Sequence, residues 1–167
     1  MSWNVLIVEN HEVAREGVSW LLNSPPFNVS GSVPTAAEAL ECLEEKSIDL
    51  VLLDIRLSDG SGLKLLEQIR KLHADIPVVV FSAYENPTYI ARAAALGAAD
   101  YLLKSVPSKT LLDTLQHIAT GRAADPESLL CLIQKTMQET VDVRMLPSDF
   151  PLTAREAQVL RHIALGL

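Results

Sequence analysis

Four short apolar runs divide the first hundred or so residues, and each stops on a polar residue. Val5-Leu6-Ile7-Val8 stops on Glu9 and Asn10, Leu50-Val51-Leu52-Leu53 on Asp54, Val78-Val79-Val80-Phe81 on Ser82, and Tyr101-Leu102-Leu103 on Lys104. Runs of this length, rich in Val, Leu and Ile, predict strands buried on both faces of a parallel sheet. Phe27 to Val33 alternates apolar and polar positions and predicts one more strand. Helical patterns separate the strands. Val13, Gly17, Trp20 and Leu21 mark one face of a helix after the first strand. Thr35, with Glu38 three positions on, has capping-box spacing and opens a helix over 36–46. Gly60 and Gly62 lead into a helix whose apolar face is Leu63, Leu65, Leu66, Ile69 and Leu72. An Ala-rich helix from Ile90 to Leu96 stops at Gly97, and Pro107 opens a helix that turns Leu111, Leu112, Leu115 and Ile118 inward.

Strand and helix thus alternate five times before residue 121. That predicts an α/β fold: a flavodoxin-like (βα)5 doubly wound parallel sheet, strand order 2-1-3-4-5, with right-handed crossovers and a C-terminal helical extension. Gly121 to Pro126 breaks the pattern and closes a first domain over 1–121. Residues 122–150 read as a linker with one amphipathic helix over 127–141, through Leu129, Leu130, Ile133 and Met137. After a second break at Pro147 to Pro151, Thr153-Ala154-Arg155-Glu156 is a capping box opening a last helix with Val159, Leu160 and Ile163.

Composition narrows the function classes. The chain has 167 residues, 49% of them apolar, which suits a packed core and argues against global disorder. Fourteen Lys and Arg stand against 21 Asp and Glu, a net charge of −7 with no basic cluster, so these residues alone make a poor nucleic-acid binder. Cys42 and Cys131 lack any metal-ligand spacing and read as reduced core-type thiols. No signal peptide opens the chain and no apolar stretch reaches a membrane span, so a soluble, cytoplasmic protein without a membrane partner is expected.

Parallel strands share a C-terminal edge, where open α/β sheets hold their sites. That edge would gather two carboxylates (Glu9, Asp54), an amide (Asn10), a hydroxyl (Ser82) and an ammonium (Lys104), a set suited to a phosphoryl group with a divalent metal. Each residue alone has a plainer reading. Asp54 could cap a helix, Ser82 could cap a strand end, Lys104 could be a solvated charge, and Tyr101 could be core with its hydroxyl at the rim. His11 reads as a helix-entry histidine rather than a metal ligand.

The ordered set of Glu9 and Asn10, Asp54, Gly62, Ser82-Ala83, and Tyr101 with Lys104 resembles the receiver domain of bacterial two-component response regulators, from residue 3 to about 120. The stretch Leu152-Thr153-Ala154-Arg155-Glu156-Ala157-Gln158-Val159-Leu160, continued by Ile163-Ala164-Leu165-Gly166-Leu167, resembles the first helix of a LuxR/NarL-type helix-turn-helix domain. Residues 151–167 then form the start of a truncated DNA-binding domain, and no complete DNA-binding set lies within the chain. The resemblance implies a phosphorelay component that is not an enzyme. Asp54 is the phosphoacceptor, with Lys104 and Ser82 contacting the phosphoryl group. Ser82 and Tyr101 form the switch, Tyr101 turning inward as Ser82 shifts toward the new group. Glu9, Asn10, Asp54 and the Arg56 backbone carbonyl hold Mg²⁺. A sensor histidine kinase, a second copy of the chain and, through the missing helices, DNA are the implied partners.

Two positions depart from the family pattern. Asn10 stands where a second acid usually contacts the metal, so weakened Mg²⁺ binding is expected. Ser58 stands where a proline usually stiffens the loop after the phosphoacceptor, and Arg56 is expected to reach the vacated acidic position. A degenerate receiver, working by dimerisation without phosphorylation, is the alternative. A haloacid-dehalogenase-type phosphatase would need a second Asp two positions after the first, where this chain has Arg56. A dinucleotide enzyme would need a GxGxxG after the first strand.

Overall fold

The computed structural model describes residues 1–121. The linker helix expected at 127–141, the helix opened by Thr153, and Cys131 lie outside the described residues.

Each long apolar run forms a strand. They are β1 (Trp3–Val8), β2 (Phe27–Val33), β3 (Leu50–Leu53), β6 (Val78–Ser82) and β7 (Asp100–Leu103). They pair in parallel in the order β2-β1-β3-β6-β7, which is the expected 2-1-3-4-5 when only strands of the main sheet are counted. A small antiparallel hairpin, β4 (Arg56–Leu57) with β5 (Gly60–Ser61), intervenes where the sequence pattern showed only a loop.

Alternate strand residues serve opposite faces, as the two-residue strand period requires. Leu6, Val8, Val51, Leu53, Val78, Val80 and Tyr101 share one cluster, whose helical members come from α2 (Ala36–Glu45), α3 (Gly62–Leu72) and α4 (Pro87–Ala95). Val5, Ile7, Leu50, Leu52, Val79, Phe81 and Leu102 share the other, packed by α1 (Glu12–Leu22) and α5 (Ser108–Ala119). Each fully buried aliphatic side chain contributes roughly 1.5–3 kcal/mol, so the two clusters dominate the fold's stability.

The helix starts explain themselves locally. His11 caps α1, its Nδ1 accepting from the Ala14 amide, which supports its reading as a helix-entry residue. Thr35 Oγ1 accepts from the Glu38 amide, while Asp59 accepts from the Ala36 and Ala37 amides and so ties the β4–β5 hairpin to α2. Asn86 caps α4 one residue ahead of Pro87, earlier than the expected start at Ile90, and Gly97 (φ +90°) ends it in the left-handed region.

Two expected faces need correction. Val13 and Trp20 are 73% and 84% exposed; of the expected face Leu21 packs inward, beside Val18 and the fully buried Leu22. Leu72, expected inward on α3, is 66% exposed at the helix end. Cys42 is free and packs against the first cluster, as a core-type thiol should. Among the described residues no helix is long and apolar enough to cross a membrane.

Candidate functional site

The sheet register brings the strand ends together. Val8 pairs with Leu53, so Glu9 and Asp54 leave adjacent strands side by side, and the Asp54 amide still donates to the Val8 carbonyl at 2.9 Å. Ser82 pairs with Leu103, and the Lys104 amide donates to the Ser82 carbonyl at 2.8 Å. Glu9, Asp54 and Ser82 are all buried.

Lys104 closes the pocket. Its Nζ lies 2.6 Å from Glu9 Oε2 and 3.1 Å from Asp54 Oδ2, so one ammonium bridges both carboxylates. The other oxygens are also used: Asp54 Oδ1 accepts from the Ile55 amide at 2.8 Å, and Glu9 Oε1 from the His11 amide at 3.0 Å. Arg15 Nη1 donates to the Glu9 carbonyl at 3.0 Å and braces the same turn, a contact that α1's misread face concealed from sequence reasoning. Burial pushes the Glu9 carboxyl above its ordinary value and outweighs the opposing hydrogen bond from Lys104. Burial works against the Lys104 ammonium, yet the hydrogen bond to Glu9 and the pull of Asp54 hold its pKa above the ordinary lysine value.

The two departures from the family pattern meet each other. Ser58 Oγ donates to Asn10 Oδ1, so the hydroxyl that replaces the usual proline ties the loop to the amide that replaces the usual acid. Arg56 does not reach the acidic position. Its side chain is exposed and its guanidinium carbon sits 4.5 Å from the centroid of the Tyr84 ring. The planar cation finds an aromatic face beside it, an interaction that requires no desolvation against buried carboxylates.

Tyr101 is already inward and fully buried, not waiting at the rim. Its hydroxyl donates to the Tyr84 carbonyl, and the Tyr84 amide donates to Ser82 Oγ at 3.0 Å. Tyr84 was missed by sequence reasoning. The available signal was its offset: Tyr84 stands two positions after Ser82 as Arg56 stands two after Asp54, beyond the ends of the neighbouring strands β6 and β3.

Burial pushes the Tyr101 phenol up to about 12 from 10.0. A phenol that keeps its proton longer when folded lowers stability as pH rises between those values, because the folded state then binds more protons than the unfolded one. Lys104 acts in the same direction. Its contribution is complete below the unfolded value of 10.5 and is lost as pH rises through the folded one. The melting temperature should therefore fall steeply above about pH 10, and Tyr101→Phe should remove part of that fall. A variant whose alkaline limb superimposes on that of the unmodified chain would refute the assignment.

Two buried carboxylates, Glu9 and Asp54, share one cation at this edge, and Mg²⁺ typically uses one or two carboxylates and keeps several waters. Among the described residues no cluster of three or more His, Cys, Asp or Glu forms.

Comparison with known proteins identifies the family. A family model described as the response regulator receiver domain matches residues 5–116. The transcriptional regulatory protein YdfI of Bacillus subtilis is 30% identical over 164 residues, covering 98% of this chain and 76% of that protein. The signal receiver domain described as that of NarL from Mycobacterium tuberculosis is 30% identical with a TM-score of 0.68, over 72% of this chain and 98% of that one. A DNA-binding response regulator of the LuxR family from Staphylococcus aureus is 25% identical with a TM-score of 0.66, over 70% of this chain and 98% of that one.

Proposed function

The chain belongs to the response regulator receiver family of LuxR-type two-component systems, and from that premise we propose that Asp54 accepts a phosphoryl group from a sensor kinase and thereby controls transcription. The observation that carries this reading is the buried Asp54 carboxylate, at the end of the central strand, with Lys104 Nζ 3.1 Å from Oδ2. An Asp54 oxygen attacks phosphorus of a phosphohistidine. The P–N bond breaks, its electron pair stays on the imidazole, which takes up a proton, and an acyl phosphate remains on Asp54. Lys104, already between the carboxylates, would meet the incoming phosphoryl oxygens as a point charge, and Ser82 would donate its hydroxyl to them. Mg²⁺, held by Glu9, Asp54, Asn10 and the Arg56 carbonyl, would supply positive charge against the crowded oxygens. Arg56, where a phosphatase of the dehalogenase type needs an acid, favours a one-time acceptor over an enzyme that turns over.

The DNA-binding role extends to this chain from a DNA-binding relative of the LuxR family and from the helix expected at 151–167, and we infer that it acts as a homodimer on paired half-sites. Intact mass after incubation with a small phosphodonor tests the central claim. One added phosphoryl group per chain, dependent on Mg²⁺, is expected. A chain that stays unmodified with Mg²⁺ in excess would overturn it in favour of a phosphorylation-independent module.

Asn10 sets a second expectation. Glu9 and Asp54 leave two negative charges where three are usual, and the Asn10 oxygen is engaged by Ser58. Asn10→Asp should tighten Mg²⁺ by about tenfold, since a carboxylate near a divalent cation gains about 1–2 kcal/mol over an amide after screening. Calorimetric titration checks this, and equal affinities would show that the amide is no handicap.

A further inference from the structure

Tyr84 touches both members of the switch through its backbone. Its amide donates to Ser82 Oγ at 3.0 Å, and its carbonyl accepts from the Tyr101 hydroxyl. Ser82 and Tyr101, both fully buried, are therefore joined through the Tyr84 backbone. The Tyr84 side chain is held from two sides. Arg56 stacks over it at 4.5 Å, and Tyr89 of α4 meets it edge-on with ring centroids 6.1 Å apart. Arg56 belongs to the segment that follows Asp54, so its stack is a physical link from the phosphoacceptor loop to the switch.

We propose that Arg56 is a positioning residue for the switch: by stacking on Tyr84 it holds the Tyr84 carbonyl where it retains Tyr101 in the inward position. This rests on reading Asp54 as the phosphoacceptor and deepens it. The loop that must accommodate a phosphoryl group on Asp54 carries the cation that fixes the Tyr101 acceptor, so movement at one is felt at the other. The guanidinium suits the task because it is planar, always charged and weakly hydrated, and stacks on a ring without leaving solvent. A lysine at position 56 keeps the charge but not the plane. A glutamine keeps a plane but not the charge.

The chain has only three tyrosines, at 84, 89 and 101, so tyrosine labelled with ¹³C at Cζ gives three assignable signals. An exposed cation–π contact corresponds to roughly a two- to fivefold change in the ratio of inward to outward Tyr101. Arg56→Gln should shift or broaden the Tyr84 and Tyr101 signals and lower the pH at which Tyr101 ionises. Arg56→Lys should restore part of each change. Tyr84→Leu keeps the backbone carbonyl but removes the ring, and it should move the Tyr101 signal as Arg56→Gln does. In that background, Arg56→Gln should have no further effect on Tyr101. Unchanged Tyr84 and Tyr101 signals in Arg56→Gln would overturn the proposal, and so would undiminished effects of Arg56→Gln on Tyr101 in the Tyr84→Leu background. Both readouts use the unphosphorylated chain. Failure of phosphodonor labelling in the unmodified chain would count against the acceptor reading alone and leave the positioning result standing.

Discussion

Gly62→Ala should cost about 3 kcal/mol or more and dismantle the pocket. A Cβ at position 62 would lie 1.9 Å from the Asp54 carbonyl oxygen and 2.9 Å from both the Asp54 carbonyl carbon and Ile55 Cα. All three are backbone atoms, so no side chain can rotate aside. The glycine is needed for space, since its φ is not among the positive ones. Its amide donates to the Ile55 carbonyl at 2.6 Å, which draws the first residue of α3 onto the segment that carries the phosphoacceptor. Alanine forces either α3 or residues 54–55 to move. Either way Asp54 loses its place against Lys104. Urea unfolding should show a midpoint well below that of the unmodified chain, and phosphodonor labelling should be largely lost. Gly17→Ala is the contrasting case. Nothing lies within 4 Å of its added Cβ, on a helix, and it should be neutral or add up to about 1 kcal/mol of stability. Equal midpoints for Gly62→Ala and the unmodified chain would mean that the close approach is not required.

The strands were legible in sequence because a sheet covered on both faces makes every strand residue apolar, and the polar residue ending each run is where the chain meets the sheet edge. Glu9, Asp54, Ser82 and Lys104 were therefore placed together by the runs alone. The helices were less legible. On α1, Val13, Gly17 and Trp20 have good helical spacing, but the face that meets the sheet is set by Leu22, at the end of the helix. A short helix with two adjacent apolar stripes does not say in sequence which one is buried. The β4–β5 hairpin left no pattern, because two residues per strand are too few to show a period.

At the site, what the sequence missed depends on loops meeting in space. Arg56 was assigned to the acidic position by charge, but the ring of Tyr84, 28 residues further along the chain, captures it. Asn10 and Ser58 were two separate departures in sequence and are one contact in the structure. Tyr101 had two readings, a core residue or a switch that turns inward on phosphorylation, and its partner for being inward already is a carbonyl, which carries no side-chain signature.

Asp54→Asn should abolish phosphoryl transfer while leaving the fold intact. The amide has the shape of the carboxylate, and its oxygen can still accept from the Ile55 amide, as Oδ1 does at 2.8 Å. It is not a usable nucleophile toward phosphorus, and no acyl phosphate can form on it. Lys104 keeps its shorter contact, 2.6 Å to Glu9 Oε2, so the half-buried ammonium is not left unpaired. The substitution also removes one of two carboxylates sharing a single cation. The Glu9 pKa, which the Asp54 charge helps to raise, should therefore relax toward its ordinary value. Stability near neutral pH should be unchanged or slightly higher, in contrast to Gly62→Ala, where loss of labelling accompanies loss of stability. That contrast separates a missing nucleophile from a displaced one. Intact mass after phosphodonor treatment should show no added group on Asp54→Asn at any Mg²⁺ concentration. Labelling at the level of the unmodified chain would place the acceptor elsewhere. Glu9, on the other side of Lys104, would then be the carboxylate to substitute next.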